Sequence, residues 1–368
     1  MPMTSNAPLK RSIEVEYWVV DDEGYLTQPG SLIDLPGAER EFVEPMLELK
    51  TTPCQSTAEL REELFDRIRA AVERGDDLGK QLVPLATPLN HKEIREIPCD
   101  RTRIQNEVVG DDFQYVRHCA GTHIHIEQQP GRAVDQLNTL IALDPALALV
   151  NSARHFRGEA MAPGARSKCY RWLAYDDLQD QGELWPYVDD RADWTHRLQT
   201  CYDRFREQAI DTGIDEPTFE SCFDPESAVW TPVQLREEFG TVEWRSPDTT
   251  LPSRTVALAD TLARVAGELD GRPVDIGGDT PRVDDDRIVL PEFETVREYV
   301  DTAIQDGLTE SLATYLSRMG FDPDAFDPIA DSFEHEGPID HETARQLRLE
   351  YATRLREDVR QSPAMTAD

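Results

Sequence analysis

The chain has 368 residues, enough for one large domain or two ordinary ones with a buried cleft. Asp and Glu number 72 against 38 Lys plus Arg, a formal net charge of -34, and only five of the basic residues are lysines. A surface so acidic repels nucleic acid and anionic membranes alike, which excludes both as expected partners.

The first strand expected is "SIEVEYWVVD" (Ser12 to Asp21), ended by the turn signal "DDEG", and a second is "EFVEPMLELKTTPC" (Glu41 to Cys54). Ser56 with Glu59 then reads as a capping box. Leu60, Leu64, Ile68 and Val72 recur at helical spacing as far as Gly75. "QLVPLAT" (Gln81 to Thr87) reads as a buried strand, and a polar connection containing "RTRIQNEV" leads to a strand within "CAGTHIHIEQ" (Cys119 to Gln128). The apolar helix "DQLNTLIALDPALALVNSARHF" breaks or kinks at Pro145, and a polar, tryptophan-rich region opens at "ARSKCYRW" and reaches Trp194. "TVEWRSPD" (Thr241 to Asp248) is a short strand with its turn, followed by the helix "RTVALADTLARVAGEL". Beyond Gly271 come an acidic loop, "GGDTPRVDDDR", and helical segments such as "EFETVREYVDTAIQDGL" and "HETARQLRLEYATRLREDVRQ".

Strong acidity can also mark disorder, but 39% hydrophobic residues and six tryptophans argue for a folded chain. Acidic residues spread along the whole length, with lysine scarce, suit concentrated salt, where screening removes most self-repulsion. A halophilic cytoplasm is the expected setting. The six cysteines are dispersed without CxxC spacing, "MPMTSNAPLKRS" lacks the apolar core of a signal peptide, and no membrane span is expected.

Side chains alternate along a strand. His123, His125 and Glu127 therefore share one face, as do Glu14 with Glu16, Thr241 with Glu243 and Arg245, and Met46 with Glu48 and Lys50. Each strand alone fits a sheet with one wet face. Four such strands in one sheet would instead line a common surface of carboxylates, imidazoles, one arginine and one lysine. Such a cluster needs cations, and oxygen ligands favour Mg²⁺ or Mn²⁺, the imidazoles tipping the balance slightly to Mn²⁺. The sequence has no HExxH, no GxxxxGK[ST] loop and no GxSxG. The remaining histidines, His91, His155, His196, His335 and His341, sit in polar segments and are expected at the surface. His118 is given a structural role, and Trp172, Trp185 and Trp194 are expected to pack a loop-rich insertion.

These motifs together resemble the glutamate–cysteine ligase family of carboxylate–amine ligases, related in fold to glutamine synthetase. "SIEVEYWVVD" is similar to the family's "GVEEEFWVVD", and "EPMLELKTTPC" to its E-x-x-T-x-x-C strand, with Glu48, Thr51 and Cys54 in place. "CAGTHIHI" resembles "CGLHVHV", "NSARHFRGEAMAPGARS" resembles "NSPFWRGEDTGYASYRS", and "GTVEWRSPD" resembles "GTVEVRTPD". The likeness runs over roughly residues 12 to 255 and marks a haloarchaeal-type member. It implies an α+β fold: an antiparallel sheet flanked by helices, its concave face binding ATP and two or three divalent cations. Glu14, Glu16, Glu48, His123, His125 and Glu243 would be metal ligands. Arg245, with Glu243 beside it, would be catalytic, clamping the transferring phosphoryl group. Arg166 and Lys50 would assist ATP binding, and Asn151 and Thr51 would meet the substrate.

The implied activity is ATP-dependent ligation of a carboxylate to an amine through an acyl phosphate, glutamate plus cysteine giving γ-glutamylcysteine. The alternative is a catalytically altered or silent paralogue that binds nucleotide or amino acid. It rests on departures from the pattern: Val15 for a glutamate, Glu127 for a glycine, Ala160, Met161 and Ala162 where the family has Asp-Thr-Gly, and "LATPLNH" for "ATGTHP". Glu127 would be an extra ligand or an obstruction, and the other two stretches would lie near the cleft. Residues 1–271 would form the catalytic domain, with residues 272–368 packing on it as an acidic loop and helices and ending in a disordered tail. Small molecules, amino acids and ATP, are the expected partners, with a homodimer left open.

Overall fold

The computed structural model describes residues 8–175, 178, 180–335 and 337–361, so the expected disordered tail lies outside the described residues. Its centre is a seven-stranded antiparallel sheet. β1 (Arg11–Asp21) is the hub: β3 (Met46–Lys50) pairs along one edge, and β5 (Thr122–Glu127) and β4 (Lys80–Val83) share the other. β2 (Ala38–Arg40) extends the sheet beyond β3. On the far side of β5 lies a hairpin of β8 (Val233–Arg236) and β9 (Thr241–Trp244), while β6 (His155–Phe156) and β7 (Glu159–Ala160) form a separate ribbon. The α+β class and the antiparallel sheet match the expectation.

Proline shortens the strands relative to the apolar runs that suggest them. The expected strand from Glu41 begins only at Met46, after Pro45, and that from Gln81 ends at Val83, before Pro84. Proline has no N–H to give to a ladder. The ladder of β9 likewise stops at Trp244, although Arg245 N still donates to Pro232 O.

One face of the sheet is dry. Ile13, Val15, Tyr17, Leu47, Leu49, Ile124, Ile126 and Val242 alternate onto it, none more than marginally exposed. They pack against helices Thr57–Leu78, Ala133–Leu143 and Pro252–Gly267, which share one hydrophobic core with them. The first helix starts as expected: Ser56 Oγ accepts from Glu59 N. It runs three residues past Gly75 and ends at Gly79, whose φ of +62° is the left-handed conformation that favours glycine.

Pro145 breaks the next helix, which passes at Asp144 into a 3₁₀ segment reaching Val150. Against expectation, the combined stretch Ala133–Val150 is 18 residues long with a mean hydropathy of 1.3, long and apolar enough to cross a membrane. It is 89% buried within the fold, as the core helix of a packed domain would be.

A helix, Asp100–Val109, appears where the sequence reads as polar connection, and a second, Arg191–Asp211, starts at the end of the tryptophan-rich region and runs on past it. Trp185 and Trp194 are buried with ring centroids 5.3 Å apart, so they pack the insertion. Past Gly271 the acidic loop is pinned at both ends by a small sheet of Val274–Ile276, Arg282–Val283 and Ile288–Leu290. The helices Phe293–Gln305 and His341–Gln361 form close to their expected bounds.

Candidate active site

The opposite face of the sheet carries the alternation that the sequence predicts, and register brings the polar residues side by side. Glu14 lies across from His123 on one neighbour and Lys50 on the other. Glu16 lies across from Glu48, and His125 from Glu243. Three groups of ligand atoms gather within 4.8 Å of one another: Glu14, His125 and Glu243; Glu14, Glu48 and His123; and Glu16, Glu41 and Glu48. All six carboxylate and histidine residues singled out in the sequence converge. Glu41 joins them from the loop before β3, a position that strand alternation does not reach.

Glu243 is fully buried, and its carboxylate takes Arg245 Nη1 and, at 2.8 Å, Arg236 Nη1. Burial opposes its ionisation, but Arg245, His125, His123 and Arg236 outweigh burial and hold the carboxyl well below the usual range. At Glu14 burial is likewise overcome, first by the hydrogen bond with His123 Nδ1 at 3.3 Å, bringing the group down to about 2. Glu48 goes the other way. Burial and the charge of Glu14 push it up to about 8 even though Lys50 Nζ lies 2.9 Å away. Glu41 is also raised, by burial and by Glu16 and Glu48.

The cluster therefore holds more carboxylates than its own cations can keep ionised together. His125 adds a second sign of an incomplete site. Its Nδ1 lies 3.0 Å from Thr241 Oγ1, while its buried Nε2 has no hydrogen-bond partner and faces Glu14 and Glu243 at 3.9 and 3.7 Å. An imidazole held through one nitrogen with the other free among carboxylates is the usual disposition of a metal-ligating histidine. The donor set suits Mg²⁺ or Mn²⁺.

Other expected site residues stand elsewhere. Lys50 is engaged by Glu14 at 3.5 Å, Glu39 at 3.1 Å and Glu48, so it serves the carboxylates and not the cleft. Thr51 points to the opposite side, where its hydroxyl accepts from Ile13 N at 2.9 Å and stitches β1 to the end of β3. Asn151 is buried behind the site, with Nδ2 donating to Ala303 O at 3.0 Å. Arg166 does line the cleft, but its guanidinium donates to Arg245 O at 3.1 Å and Ser246 O at 3.0 Å, fixing the backbone that presents Arg245. A Cβ on Gly121 would lie 2.1 Å from Arg166 Nη2, so only glycine allows this approach. Gly121 N also donates to Glu16 Oε2 at 2.6 Å.

The departures from the family pattern fall outside the cleft lining. Glu127 ends β5, and its carboxylate accepts from Lys10 N at 3.1 Å, making it neither ligand nor obstruction. Ala160 is exposed on β7, and Met161 packs on the small cluster of Cys119, Phe156 and Cys169. In "LATPLNH", Thr87 Oγ1 donates to His155 O and Asn90 Nδ2 to Ile339 O. His155 itself is fully buried, not at the surface, with Nε2 2.9 Å from Gly337 O. His118 is buried too, and burial lowers it to about 3.

Beside the carboxylates opens a cleft of about 240 Å³, whose lining includes Glu16, Glu41, His123 and Arg245 together with Arg101, Gln105, Tyr175 and Trp230. Arg101, Arg117, Arg171 and Arg236 are the basic residues of the cleft that the motif reading misses. The period-two pattern of "VQLREEFGTVEW", two short runs around Gly240, was a usable signal for Arg236. Phe239, 55% exposed in that turn, covers Arg236 at 5.0 Å and meets His125 edge-on at 5.9 Å.

A family model for glutamate-cysteine ligase family 2 matches residues 13–314. The chain belongs to that family. Membership places it among ligases, as the sequence resemblance implies. Among solved structures, a bifunctional glutathione synthetase from Pasteurella multocida superposes with a TM-score of 0.56 at 15% identity, 95% of this chain covering 53% of that one. This chain thus spans about half the length of the synthetase, and the likeness is one of fold. A glutamate–cysteine ligase from Francisella tularensis in complex with AMP gives a TM-score of 0.46 at 12% identity, over 97% of this chain and 95% of that one. No curated protein matches the chain in sequence.

Proposed function

We propose that the protein is an ATP-dependent carboxylate–amine ligase whose reaction joins glutamate to cysteine through an acyl phosphate. The observation that carries this reading is the sheet face on which Glu14, Glu48, His123, His125 and Glu243 gather beside Arg245. A carboxylate does not react with an amine at neutral pH until its oxygen becomes a leaving group. Transfer of the ATP γ-phosphoryl group to that oxygen releases ADP, and attack by the amine then expels phosphate and loses a proton. Mg²⁺ or Mn²⁺, held by the carboxylates and imidazoles, would supply charge neutralisation at the phosphates.

The chain's own contribution is placement. Glu243 anchors Arg245 through one guanidinium nitrogen, leaving the rest of the planar fork for equatorial phosphoryl oxygens. Arg166 holds the backbone of Arg245, and Gly121 keeps Arg166 close. No side-chain nucleophile is required.

The residues that differ from the family pattern at 160–162 and 127 lie away from the cleft, which favours an active enzyme over a silent paralogue. Residues 1–271 are proposed to carry the chemistry and residues 272–368 to pack on them. The charge of -34 supports a halophilic, cytoplasmic setting.

The test is ADP release in molar KCl with Mg²⁺ or Mn²⁺, glutamate and a panel of amine acceptors. Release that requires both glutamate and cysteine supports the reading. ATP binding without turnover on any acceptor would leave the silent paralogue.

A further inference from the structure

The cleft also contains a buried amide that nothing in the fold satisfies, with an arginine beside it. Helix Asp100–Val109 borders the cleft, and Arg101 and Gln105 stand one turn apart on it, both lining the cleft. Gln105 is fully buried, and neither its Nε2 nor its Oε1 has a hydrogen-bond partner. A buried amide is ordinarily bonded at both atoms, so an amide open at both ends and aimed into a cleft marks a missing ligand.

Arg101 is held in place from behind. Its guanidinium donates to Cys222 O at 2.7 Å and Ser227 O at 2.6 Å and lies 4.3 Å from the centroid of the Phe223 ring. Both acceptors are neutral carbonyls. Among the described residues no carboxylate is in ion-pair contact with Arg101 or with Arg166, which the carbonyls of Arg245 and Ser246 hold, whereas the other arginines of the cleft are paired: Arg117 with Glu96, Arg171 with Asp144, Arg236 with Glu226 and Glu243, and Arg245 with Glu243. The wall beside it is apolar, with Tyr175 and Trp230 stacked at 5.6 Å and 13°.

We propose that Arg101 and Gln105 form the subsite for the zwitterionic head of an α-amino acid substrate. Arg101 takes the α-carboxylate, Gln105 Nε2 donates to the same carboxylate, and Gln105 Oε1 accepts from the α-ammonium. An amide supplies a donor and an acceptor together, as a zwitterion requires and a phosphate does not. The cleft, below the ~300–1,000 Å³ of pockets for drug-sized ligands, suits a molecule of that size. With its head held by this helix, the substrate has its reacting end free to reach Arg245, which lines the same cleft. This assignment rests on the ligase reading for the identity of the ligand.

The experiment is calorimetric titration of the full chain, in molar KCl, with L-glutamate, L-cysteine and their N-acetyl derivatives, alongside ligase kinetics. At least one free amino acid should bind, its N-acetyl derivative at least tenfold more weakly. Gln105→Leu should weaken that amino acid at least tenfold, leave the KM for ATP within twofold, and raise the Tm of the unliganded protein because an unpaired amide is removed. A purely structural glutamine would instead lower the Tm and shift both substrates. Arg101→Met, which removes the partner of the α-carboxylate, should weaken that amino acid at least tenfold. Equal binding of free and N-acetylated amino acids, no amino acid binding at all, or a folded Gln105→Leu with wild-type affinity would overturn the subsite. Turnover that survives with an unchanged Gln105→Leu sinks the subsite alone. Amino acid binding that Gln105→Leu removes, in a protein without turnover, sinks the ligase reading alone.

Discussion

The two faces of the central sheet are built by the same strands and answer to opposite physics. On the rear, Val15 and its neighbours exclude water, and each buried aliphatic side chain contributes about 1.5–3 kcal/mol. On the front, one residue further along the same strands, burial and the neighbouring carboxylates raise the cost of ionising Glu48 and, beside it, Glu41, while Glu14 and Glu243 stay charged against burial through imidazoles, Lys50 and arginines. The rear face stabilises the fold unaided. On the front, Glu48 and Glu41 work against it unless cations arrive, so what is gained by keeping them has to be functional.

The largest effect should come from making one face resemble the other. Val15→Glu, the residue that the family resemblance would place there, buries an uncompensated carboxylate on the dry side and should cost more than about 4 kcal/mol in denaturant unfolding. A folded, stable variant would show that the rear face is not a closed core. On the front, Glu243→Gln should lower kcat/KM by more than about 100-fold and also destabilise the metal-free protein by about 3 kcal/mol, since Arg245 and Arg236 lose their shared partner. Retained metal-dependent turnover would remove Glu243 from the site. Arg245→Lys should cut kcat by about 10²-fold while shifting unfolding by less than about 1 kcal/mol, because a lysine keeps the charge but loses the fork.

A smaller and purely thermodynamic difference is expected at Asp248, which burial lifts to about 7 while Ser152 N donates to it at 2.8 Å. Between pH 4 and 7 the unfolded chain has released this proton and the folded chain has not, so stability falls as pH rises across that window and levels above it. Asp248→Asn should be free of that loss, its advantage growing from near zero at pH 4 toward at most about 4 kcal/mol at pH 7. Parallel stability curves for the two proteins would place the charge elsewhere.

The front face was legible because strand periodicity is local: one residue in two suffices to put His123, His125 and Glu243 on one side. Register, which sets Glu14 against His123, is not written in the spacing, and the family resemblance implies only that these residues share one face. What stayed hidden was brought by segments without such a rhythm. Glu41 enters from a loop. Arg101 and Gln105 enter on a helix whose sequence, "DRTRIQNEVV", is polar enough to read as a connection. In Arg191–Asp211 the spacing of Trp194, Leu198, Cys201, Phe205 and Ala209 was present, but the charged residues between them drew attention to a loop-rich region. Asn151 and Thr51 show the converse error, since matching a motif did not bring them to the cleft.

Asp144, at the break before Pro145, accepts from Trp244 Nε1 at 2.8 Å and pairs with Arg171 at 2.7 Å, while its other contact is Ser246. It is also an acidic residue within an 18-residue apolar stretch, Ala133–Val150. While the chain is being synthesised, before Arg171 and Trp244 exist to bond it, that carboxylate adds about 2.5–3.5 kcal/mol against transfer of the segment into lipid by an insertion machine. The same side chain that later steadies the strand of Glu243 thus first keeps a nascent core helix out of the bilayer.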